Sequence, residues 1–372
     1  MDILRRDPDI SPLVDNLVGT TEGQYKLNAE KIVDGILLHM DPDLGQSELD
    51  VAAFDECYAR FEESYCSSRY SYKAIAPLVG FTAPETIILD SQTEISRLKG
   101  HERDVCLSML PHKSFVPTQY AIKATYEMDR IVGDPIPSHN EQMLDEHPHN
   151  SSEAAEHIQE LLRALGVFKK GNFSHLGIVC GTESWIDPGY HLFFPAHPHD
   201  PIGRTQYALT LEEGAQIPSF CKNFGDPSVK RAKWLDVAIR RFDDAIHRAR
   251  PEDGLLDLMI AAEALFLSDI HNAKERGELR YRLSLRAAVF LTEEGGDSTI
   301  IYNLFRKAYD NRSAIVHGDT ASGAANLLKT ADEIEDQLRR VLRKSIDKLV
   351  MGCRTDALTD WNSLIFRKLD GR

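Results

Sequence analysis

Residues 255–267 read Leu-Leu-Asp-Leu-Met-Ile-Ala-Ala-Glu-Ala-Leu-Phe-Leu, an apolar stretch that only Asp257 and Glu263 interrupt. As a helix it is apolar on every face, and such a helix belongs in the centre of a bundle. It is far shorter than the ~20 residues that a membrane-spanning helix needs. Glu263 would then be a buried carboxylate, which is costly unless a basic side chain pairs with it. The neighbouring segments offer three candidates: Arg282, Arg286 and Arg312.

Helical periodicity continues on both sides of this segment. It begins after Gly225-Asp226-Pro227 and extends to the end of the sequence. The pattern predicts helices at Ser228–Arg250, Glu252–Ser268, Gly277–Thr292, Ser298–His317, Ala324–Met351 and Ala357–Leu369. We therefore expect an all-α bundle of about five or six helices over residues 228–372.

The helix Ser298–His317 ends in Arg312-Ser313-Ala314-Ile315-Val316-His317-Gly318. Gly318 stands where a left-handed residue commonly stops a helix. The partial negative charge of the last carbonyl groups favours a protonated imidazole on His317, which suits a proton donor. A spacing of five residues places Arg312 and His317 ~140° apart on an ideal helix. They converge only if Arg312 reaches round or the helix loosens at its end.

An arginine and a histidine beside a cleft are sufficient to cleave RNA without a metal ion. The 2′-hydroxyl is the nucleophile, the histidine moves protons, and the guanidinium neutralises charge that builds up on the phosphate. DNA lacks that hydroxyl and should be spared. By its pattern alone, the pair also fits a helix end whose dipole is compensated by basic residues.

The wider context of the motif resembles the HEPN superfamily, whose signature is R-x4-6-H near the end of a helix in a small bundle. Four segments resemble its Apea-type branch in order and spacing, over roughly residues 228–350: Ala238–Phe242, Leu255–Phe266, Leu283–Ala288 and Tyr309–Gly318. The position after the arginine is often Asn, Asp or His in active relatives and is Ser313 here. A serine hydroxyl can still hydrogen-bond a phosphate.

The resemblance implies that Arg312 and His317 are the catalytic pair. We predict a metal-independent endoribonuclease in which Glu263, Ser313 and Asp310 support this pair, with no cofactor and no metal. Members of the superfamily are commonly RNases of toxin–antitoxin, abortive-infection and CRISPR-associated systems, and they typically dimerise so that two motif segments line one cleft. We therefore expect an RNA substrate, a homodimer or higher homo-oligomer, and an antiviral or toxin-like effector that a phage-derived trigger could activate.

The sequence before residue 228 is mixed in pattern, so the fold class that we predict is α+β, a mixed α/β amino-terminal region followed by the helical bundle. Residues 1–135 form an expected sensor or regulatory domain, and residues 136–227 a linker with a small helix–strand lobe. Strands are predicted at Gly35–Met40, Glu85–Leu89, Val116–Tyr126, Leu176–Cys180 and Tyr190–Phe194. Helices are predicted at Leu49–Tyr65, Ser91–Lys99 and Ala154–Leu165, the last capped by Ser152 and ending before Gly166.

The charge of the chain is unevenly spread. Residues 1–227 contain 18 basic and 35 acidic groups and residues 228–372 contain 25 and 23, so the two parts carry −17 and +2 of the total −15. Any phosphate contact should therefore be local to the carboxy-terminal part. Six cysteines without a C-x-x-C pair and an amino terminus without a secretory pattern favour a cytoplasmic location.

Two other histidine-rich stretches could hold a metal ion. Residues 187–191 with 197–200, and His147-Pro148-His149, contain imidazole and carboxylate groups but no recognised ligand spacing. Three hypotheses remain. The first is the HEPN-type endoribonuclease, the second a non-catalytic HEPN dimerisation or nucleotide-binding protein, and the third a metal-dependent hydrolase at the middle histidine-rich loop.

Overall fold

A computed structural model of the chain describes residues 17–20, 23–26, 59, 67–99, 102–103, 106, 118–129, 131–132, 151–182, 190–193, 206–270, 278–292, 297–318, 323–353 and 358–369. They belong to two compact units. The first draws on residues 1–79, 90–158 and 175–196, and the second on residues 80–89, 159–174 and 197–372. An antiparallel sheet region precedes a helical region, which confirms the predicted α+β class.

The strands of the described residues are β1 (Leu17–Thr20), β2 (Gly23–Lys26), β3 (Arg69–Val79), β4 (Phe81–Thr82), β5 (Ile87–Ile88), β6 (Thr93–Arg97), β7 (Tyr120–Asp129), β8 (Ile131–Val132), β9 (Ser174–His175), β10 (Ile178–Thr182), β11 (Tyr190–Phe193) and β12 (Tyr207–Ala208). In the first unit, β11, β10, β3, β7 and β6 are successive antiparallel neighbours. A smaller antiparallel sheet has the order β2-β1-β8. In the second unit, β12 pairs in parallel with β4.

The long pair β3 and β7 is the centre of the first unit, with a register that extends from Arg69 opposite Asp129 to Leu78 opposite Tyr120. A lysine lies buried within β7. The ammonium of Lys123 donates hydrogen bonds to Glu102 at 2.6 Å and to the carbonyl of Arg97 at 2.8 Å. Because a buried charge is costly without partners, this pair allows a charged residue to lie inside the sheet.

The prediction of a helix at Ser91–Lys99 is wrong, because residues 93–97 form strand β6. Thr93 and Ile95 are buried and alternate along the strand, and they lie opposite Ala124 and Ile122 of β7. Strand β7 provides hydrogen-bond partners for the backbone N–H and C=O groups of this segment, which favours a strand. The β-branched residues of the segment also fit a pleated surface well. A short stretch of this kind carries too little periodicity to separate the two alternatives.

The other predictions before residue 200 have mixed outcomes. Predicted strands are confirmed, with shifted ends, at β5, β7, β10 and β11. The predictions at Gly35–Met40 and Leu49–Tyr65 lie outside the described residues, apart from Ala59. Strand β3 was not predicted, although it is the longest strand of the described residues.

The helices of the described residues are α1 (Ser151–Phe168), α2 (Leu211–Phe224), α3 (Pro227–Arg231), α4 (Lys233–Ile246), α5 (Pro251–Leu267), α6 (Leu279–Thr292), α7 (Ser298–His317), α8 (Ala324–Val350) and α9 (Trp361–Leu369). The predicted bundle helices are thus present within a few residues of their expected ends. Ser228–Arg250 is the exception, because Ala232 (φ −80°, ψ 86°) leaves the helical region and separates α3 from α4. Val229 and Trp234, which one continuous helix would place ~140° apart, are both buried.

Helix α1 continues through Gly166, so the predicted end before that residue is wrong. A Cβ atom at Gly166 would lie 3.0 Å from the Cδ1 atom of Ile246, so the glycine permits close packing of α1 on α4. The carbonyl groups at the end of α1 are bound by α8. Arg339 donates to the carbonyl of Gly166 at 3.1 Å, and Arg343 donates to that of Phe168 at 2.8 Å. Side chains from another helix here satisfy the carbonyls that a helix end leaves open.

Helix α2 was not predicted, although its start carries a local signal. The Thr210 hydroxyl accepts from the backbone N–H of Glu213 at 3.2 Å, and the Glu213 carboxylate accepts from that of Thr210 at 2.9 Å. This reciprocal pair is a capping box, which Thr210-Leu211-Glu212-Glu213 could have shown. Pro218 inside the helix obscures the pattern, because proline usually ends helices.

Helix α5 lies at the centre of the bundle, as its all-round apolarity predicts. It contacts α4, α6, α7 and α8. The buried Phe266 ring meets Phe290 of α6, Phe305 of α7 and Trp361 of α9, with centroids 6.4, 5.8 and 5.8 Å away. One aromatic side chain thus contacts three surrounding helices, and aromatic packing contributes stability beyond the buried area alone.

The carboxylate that α5 buries most completely is Asp257, with 6 % of its side chain exposed. It accepts hydrogen bonds from Arg241 of α4 at 2.9 Å and from Arg248 of the α4–α5 turn at 2.8 Å. Charge-assisted bonds of this length offset the cost of burying the carboxylate. Asp257 therefore fixes α4 against α5.

We expect Phe266→Ala to lower the free energy of unfolding of the helical unit by about 3–5 kcal/mol, since it removes a fully buried ring. The matched control is Phe366→Ala on α9, where 63 % of the residue is exposed and the change should stay within about 0.5 kcal/mol. Urea unfolding of the full chain, followed by circular dichroism of the helical signal, compares the two variants. Equal midpoints would contradict a central role for Phe266.

Candidate functional site

The carboxyl end of α7 has the geometry that its sequence predicts. Gly318 adopts the left-handed conformation (φ 72°, ψ 18°), and its N–H bonds to the carbonyls of Ala314 and Ile315. At the other end, Asp297 accepts from the backbone N–H groups of Thr299 and Ile300. Both ends of the helix are therefore fixed by local contacts. His317 is the last helical residue, and it is exposed.

Arg312 is held between two groups. A guanidinium nitrogen lies 3.6 Å from Oε1 of Glu263 on α5, and the guanidinium carbon lies 5.7 Å from the centroid of the Tyr309 ring. The second distance is within the range of a cation–π contact. At 3.6 Å the first contact is an ion pair and not a hydrogen bond. Glu263 therefore orients the guanidinium without occupying its N–H donors.

Of the three arginines that the sequence offers to Glu263, Arg312 is the partner. Arg286 is committed elsewhere, because it donates to the carbonyl of Phe266 at 2.6 Å and pairs with Asp269. Glu263 is less buried than expected, with 28 % of its side chain exposed. The Arg312 side chain is exposed to a similar extent, 29 %, so the Glu263–Arg312 pair is partly accessible to solvent.

The pKa of the Glu263 carboxyl is raised above its ordinary value. Burial is the cause, and the positive charge of Arg312 only partly opposes it. A raised pKa means that the fold disfavours the ionised carboxylate. Arg312 is the neighbour that favours the charged form of Glu263 against this effect of burial.

Asp310, a predicted supporting residue, contacts α6. Its carboxylate accepts from Arg280 at 2.6 Å, and both side chains are about half exposed. This pair joins the start of α6 to α7. Because the Asp310 carboxylate is bound to Arg280, Asp310 supports Arg312 or His317 only by fixing the position of α7.

The structure does not bring Arg312 and His317 onto one face. Helix α7 is continuous through both residues, so the loosened end that convergence would need is absent from this described helix. An ideal helix then separates them by ~140° and by about 7.5 Å along its axis. Arg312 contacts Glu263 of α5, whereas His317 is exposed at the helix end. Ser313 lies beside Arg312 and is partly buried.

The histidine-rich stretches remain predictions of the sequence. Of residues 187–200 the structure describes only 190–193, and residues 147–149 lie outside the described part of the chain. Among the residues that are described, no three His, Cys, Asp or Glu side chains lie together as a metal ion would require.

Comparison with known proteins returned no match to a family model, a curated protein or a solved structure. Among the helices that the structure describes, none combines the length and apolarity of a membrane span.

Sequence reasoning missed the aromatic surroundings of the site. Tyr302 and Tyr309 lie on α7 before Arg312, and Tyr281 of α6 meets Tyr302 with ring centroids 6.3 Å apart. The spacing of seven residues between Tyr302 and Tyr309, followed four residues later by Ser313, was a helical-face signal in the sequence. The contact with Tyr281 depends on how α6 packs against α7.

The raised pKa of Glu263 predicts how pH affects stability. Because the folded chain favours the protonated form, the stabilising contribution of Glu263 is present at low pH and is lost as the pH rises through its raised pKa. Glu263→Gln lacks this ionisation. The urea midpoint of the wild type should therefore fall relative to that of the variant as the pH rises above the ordinary glutamate pKa of about 4.3.

A suitable control for this experiment is Glu333→Gln, which changes an exposed carboxylate on α8. Its midpoint should follow that of the wild type over the same range. A difference between wild type and Glu263→Gln that stays constant with pH would show that Glu263 does not titrate as its burial implies.

Proposed function

We propose that the chain is a metal-independent endoribonuclease in which Arg312 and His317 act on one phosphodiester of an RNA. The observation that supports this proposal most is the way in which the guanidinium of Arg312 is held. Its guanidinium is oriented by Glu263 and Tyr309, yet the 3.6 Å contact with Glu263 leaves N–H donors for a phosphate. A preorganised, partly exposed guanidinium is well suited to stabilise developing charge on a phosphoryl oxygen.

The proposed reaction is an internal transfer at phosphorus. The 2′-oxygen bonds to phosphorus, the bond from phosphorus to the 5′-oxygen breaks, and the products are a 2′,3′-cyclic phosphate and a 5′-hydroxyl. The proton that leaves the 2′-hydroxyl is taken by a base, and the leaving 5′-oxygen receives a proton. His317 is exposed and is suited to one of these transfers. No water or redox partner is consumed.

Two copies of the chain are part of this proposal. Within one chain α7 separates Arg312 from His317 on different sides of the helix. A cleft that joins the end of α7 from two protomers would supply an arginine from one and a histidine from the other. A symmetric dimer would achieve this with the same surface on both copies.

The biological setting is proposed on the resemblance to the HEPN superfamily alone. We infer an antiviral or toxin-like effector in the cytoplasm, with residues 1–135 as the region that senses a trigger, which could be of phage origin. The uneven charge fits this division, since the acidic part of the chain would repel RNA and the nearly neutral helical part would not.

A non-catalytic dimerisation or nucleotide-binding protein is the second candidate. The observation in its favour is that Arg312 already has a carboxylate partner while His317 lies apart from it. An ion pair between α5 and α7 would by itself account for the presence of Arg312. Measurement of cleavage separates the two candidates.

We expect Arg312→Ala and His317→Ala each to lower the rate of RNA cleavage by at least about 100-fold, because one removes charge stabilisation and the other proton transfer. The control is Lys307→Ala, an exposed change on the same helix that should leave the rate unchanged. End-mapping of the products should show 2′,3′-cyclic phosphate and 5′-hydroxyl termini. A chelator should not alter the rate, and a 2′-deoxy group at the cleaved position should abolish it.

If both folded variants cleave as fast as the wild type, the proposed centre is wrong. A chain that binds RNA or nucleotides without cleaving them would support the second candidate. Loss of cleavage on chelation with recovery on zinc addition would instead favour a metal-dependent hydrolase.

Mixing the two inactive variants tests the shared cleft. If one protomer supplies Arg312 and its partner supplies His317, the mixed dimer retains one intact combination of the two residues. We expect a mixture of Arg312→Ala and His317→Ala chains to cleave RNA when neither does so alone. A mixture that stays inactive, although light scattering and subunit exchange show mixed dimers, would place both residues in one protomer.

A further inference from the structure

We propose that Tyr281 and Tyr302 form a base-stacking subsite beside this centre and that the substrate is therefore single-stranded RNA. The inference rests on the proposed function, because it names the substrate class of the same site. It concerns three aromatic side chains on one surface of α6 and α7, which we call the tyrosine stripe: Tyr281, Tyr302 and Tyr309.

The outermost ring of the stripe is both exposed and fixed. Half of the surface of Tyr281 is exposed, although the residue is large and partly apolar. Its ring meets Tyr302 edge to face, with centroids 6.3 Å apart and planes at 71°. This arrangement is the favoured one for aromatic pairs, and it limits how the ring can turn. Tyr281 therefore combines a large exposed area with a ring whose orientation is already restricted, so stacking on it would cost little further conformational entropy.

The stripe is aligned with the residues of the proposed centre. On an ideal helix, Tyr309 and Ser313 each lie within about 20° of Tyr302, and His317 lies about 60° away. The helix is continuous over this whole stretch. Tyr302 and His317 are then separated by about 22 Å along the axis of α7. A strand that follows α7 from His317 would reach the stripe a few nucleotides from the cleaved bond.

Positive charge accompanies the rings. Arg280, which precedes Tyr281 on α6, is half exposed and is held by Asp310 of α7 at 2.6 Å. Arg306 is exposed one turn after Tyr302 on α7. Rings with guanidinium groups beside them are the combination that binds single-stranded nucleic acids, where bases stack on the rings and the cations follow the phosphates.

An anionic ligand fits this surface better than a second copy of the chain. In a symmetric contact the same patch meets itself, so two surfaces that each carry Arg280 and Arg306 would be brought together. A nucleic acid strand brings negative charge instead. Duplex RNA would not expose a base to Tyr281, because its bases are stacked within the helix, whereas a single strand can splay one out.

The experiment measures binding without cleavage. A short 2′-O-methyl oligoribonucleotide that carries a 2-aminopurine base is titrated into the full chain, since this RNA has no free 2′-hydroxyl to react. Stacking on a tyrosine should quench the 2-aminopurine fluorescence. We expect Tyr281→Ala to weaken binding roughly 5- to 150-fold and to remove the quenching.

Four further variants test which property of the surface is responsible. Tyr281→Phe keeps the π-face and should bind as the wild type does, whereas Tyr281→Leu keeps apolar surface only and should resemble Tyr281→Ala. Arg306→Gln should lower the slope of log affinity against log salt concentration by about 0.7, as loss of one phosphate contact does. Phe366→Ala removes an exposed ring of α9 and should change neither binding nor quenching.

The outcomes distinguish this subsite from the proposed activity. If Tyr281→Ala binds and quenches as the wild type does, or if a duplex of the same sequence binds as tightly, the subsite is wrong while the cleavage experiments stand. If Tyr281→Ala converts a dimer into a monomer in sedimentation, the stripe is a contact between copies and the subsite is again wrong. If the binding pattern holds but no RNA is cleaved, the subsite stands and the endoribonuclease proposal fails.

Discussion

The helical unit depends on one helix, α5, whose stretch from Leu255 to Leu267 is apolar on every side and yet carries two carboxylates, Asp257 and Glu263. Each carboxylate must meet a guanidinium for α5 to occupy the centre of the bundle. The Asp257 carboxylate accepts hydrogen bonds from two arginines and thereby fixes α4 against α5. Glu263 faces one arginine at 3.6 Å and remains partly exposed. The same requirement thus produces a structural contact on one side of α5 and an accessible pair on the other.

The two carboxylates differ in how closely their arginines are bound. The contact at Asp257 belongs to the scaffold of the bundle, and the contact at Glu263 belongs to the candidate site. Hydrogen bonds of 2.8 and 2.9 Å engage the donors of Arg241 and Arg248, so these groups are occupied by the fold. The looser contact of Arg312 fixes the position of a charge while its donors stay available to a ligand. Burial raises the pKa of Glu263, so the Glu263 carboxylate loses its charge more easily than the Arg312 guanidinium does. Protonation of Glu263 would therefore remove the negative charge that holds the Arg312 guanidinium in position.

Helix α7 imposes the second constraint on the site. Its regular geometry carries Arg312, Ser313 and His317 on successive sides of one cylinder, so a single α7 cannot present the arginine and the histidine together. It does bring Tyr302, Tyr309 and Ser313 into line, and α6 adds Tyr281 to that line. A ligand that extends along α7 can contact all of these residues, and a compact ligand cannot. This alignment of residues supports the proposal of a strand as ligand.

What the sequence by itself determined is what depends on neighbours along the chain. The bounds Ser298–His317 and the left-handed Gly318 follow from capping and from backbone sterics within a few residues, and the central place of α5 follows from its apolarity alone. The tertiary structure decided which of three arginines meets Glu263, that Asp257 is the more deeply buried carboxylate, and that Tyr281 reaches Tyr302. It also decided that residues 93–97 form a strand, because β7 supplies their hydrogen bonds. These outcomes depend on which side chains distant segments bring into contact, and no pattern along one segment contains that information.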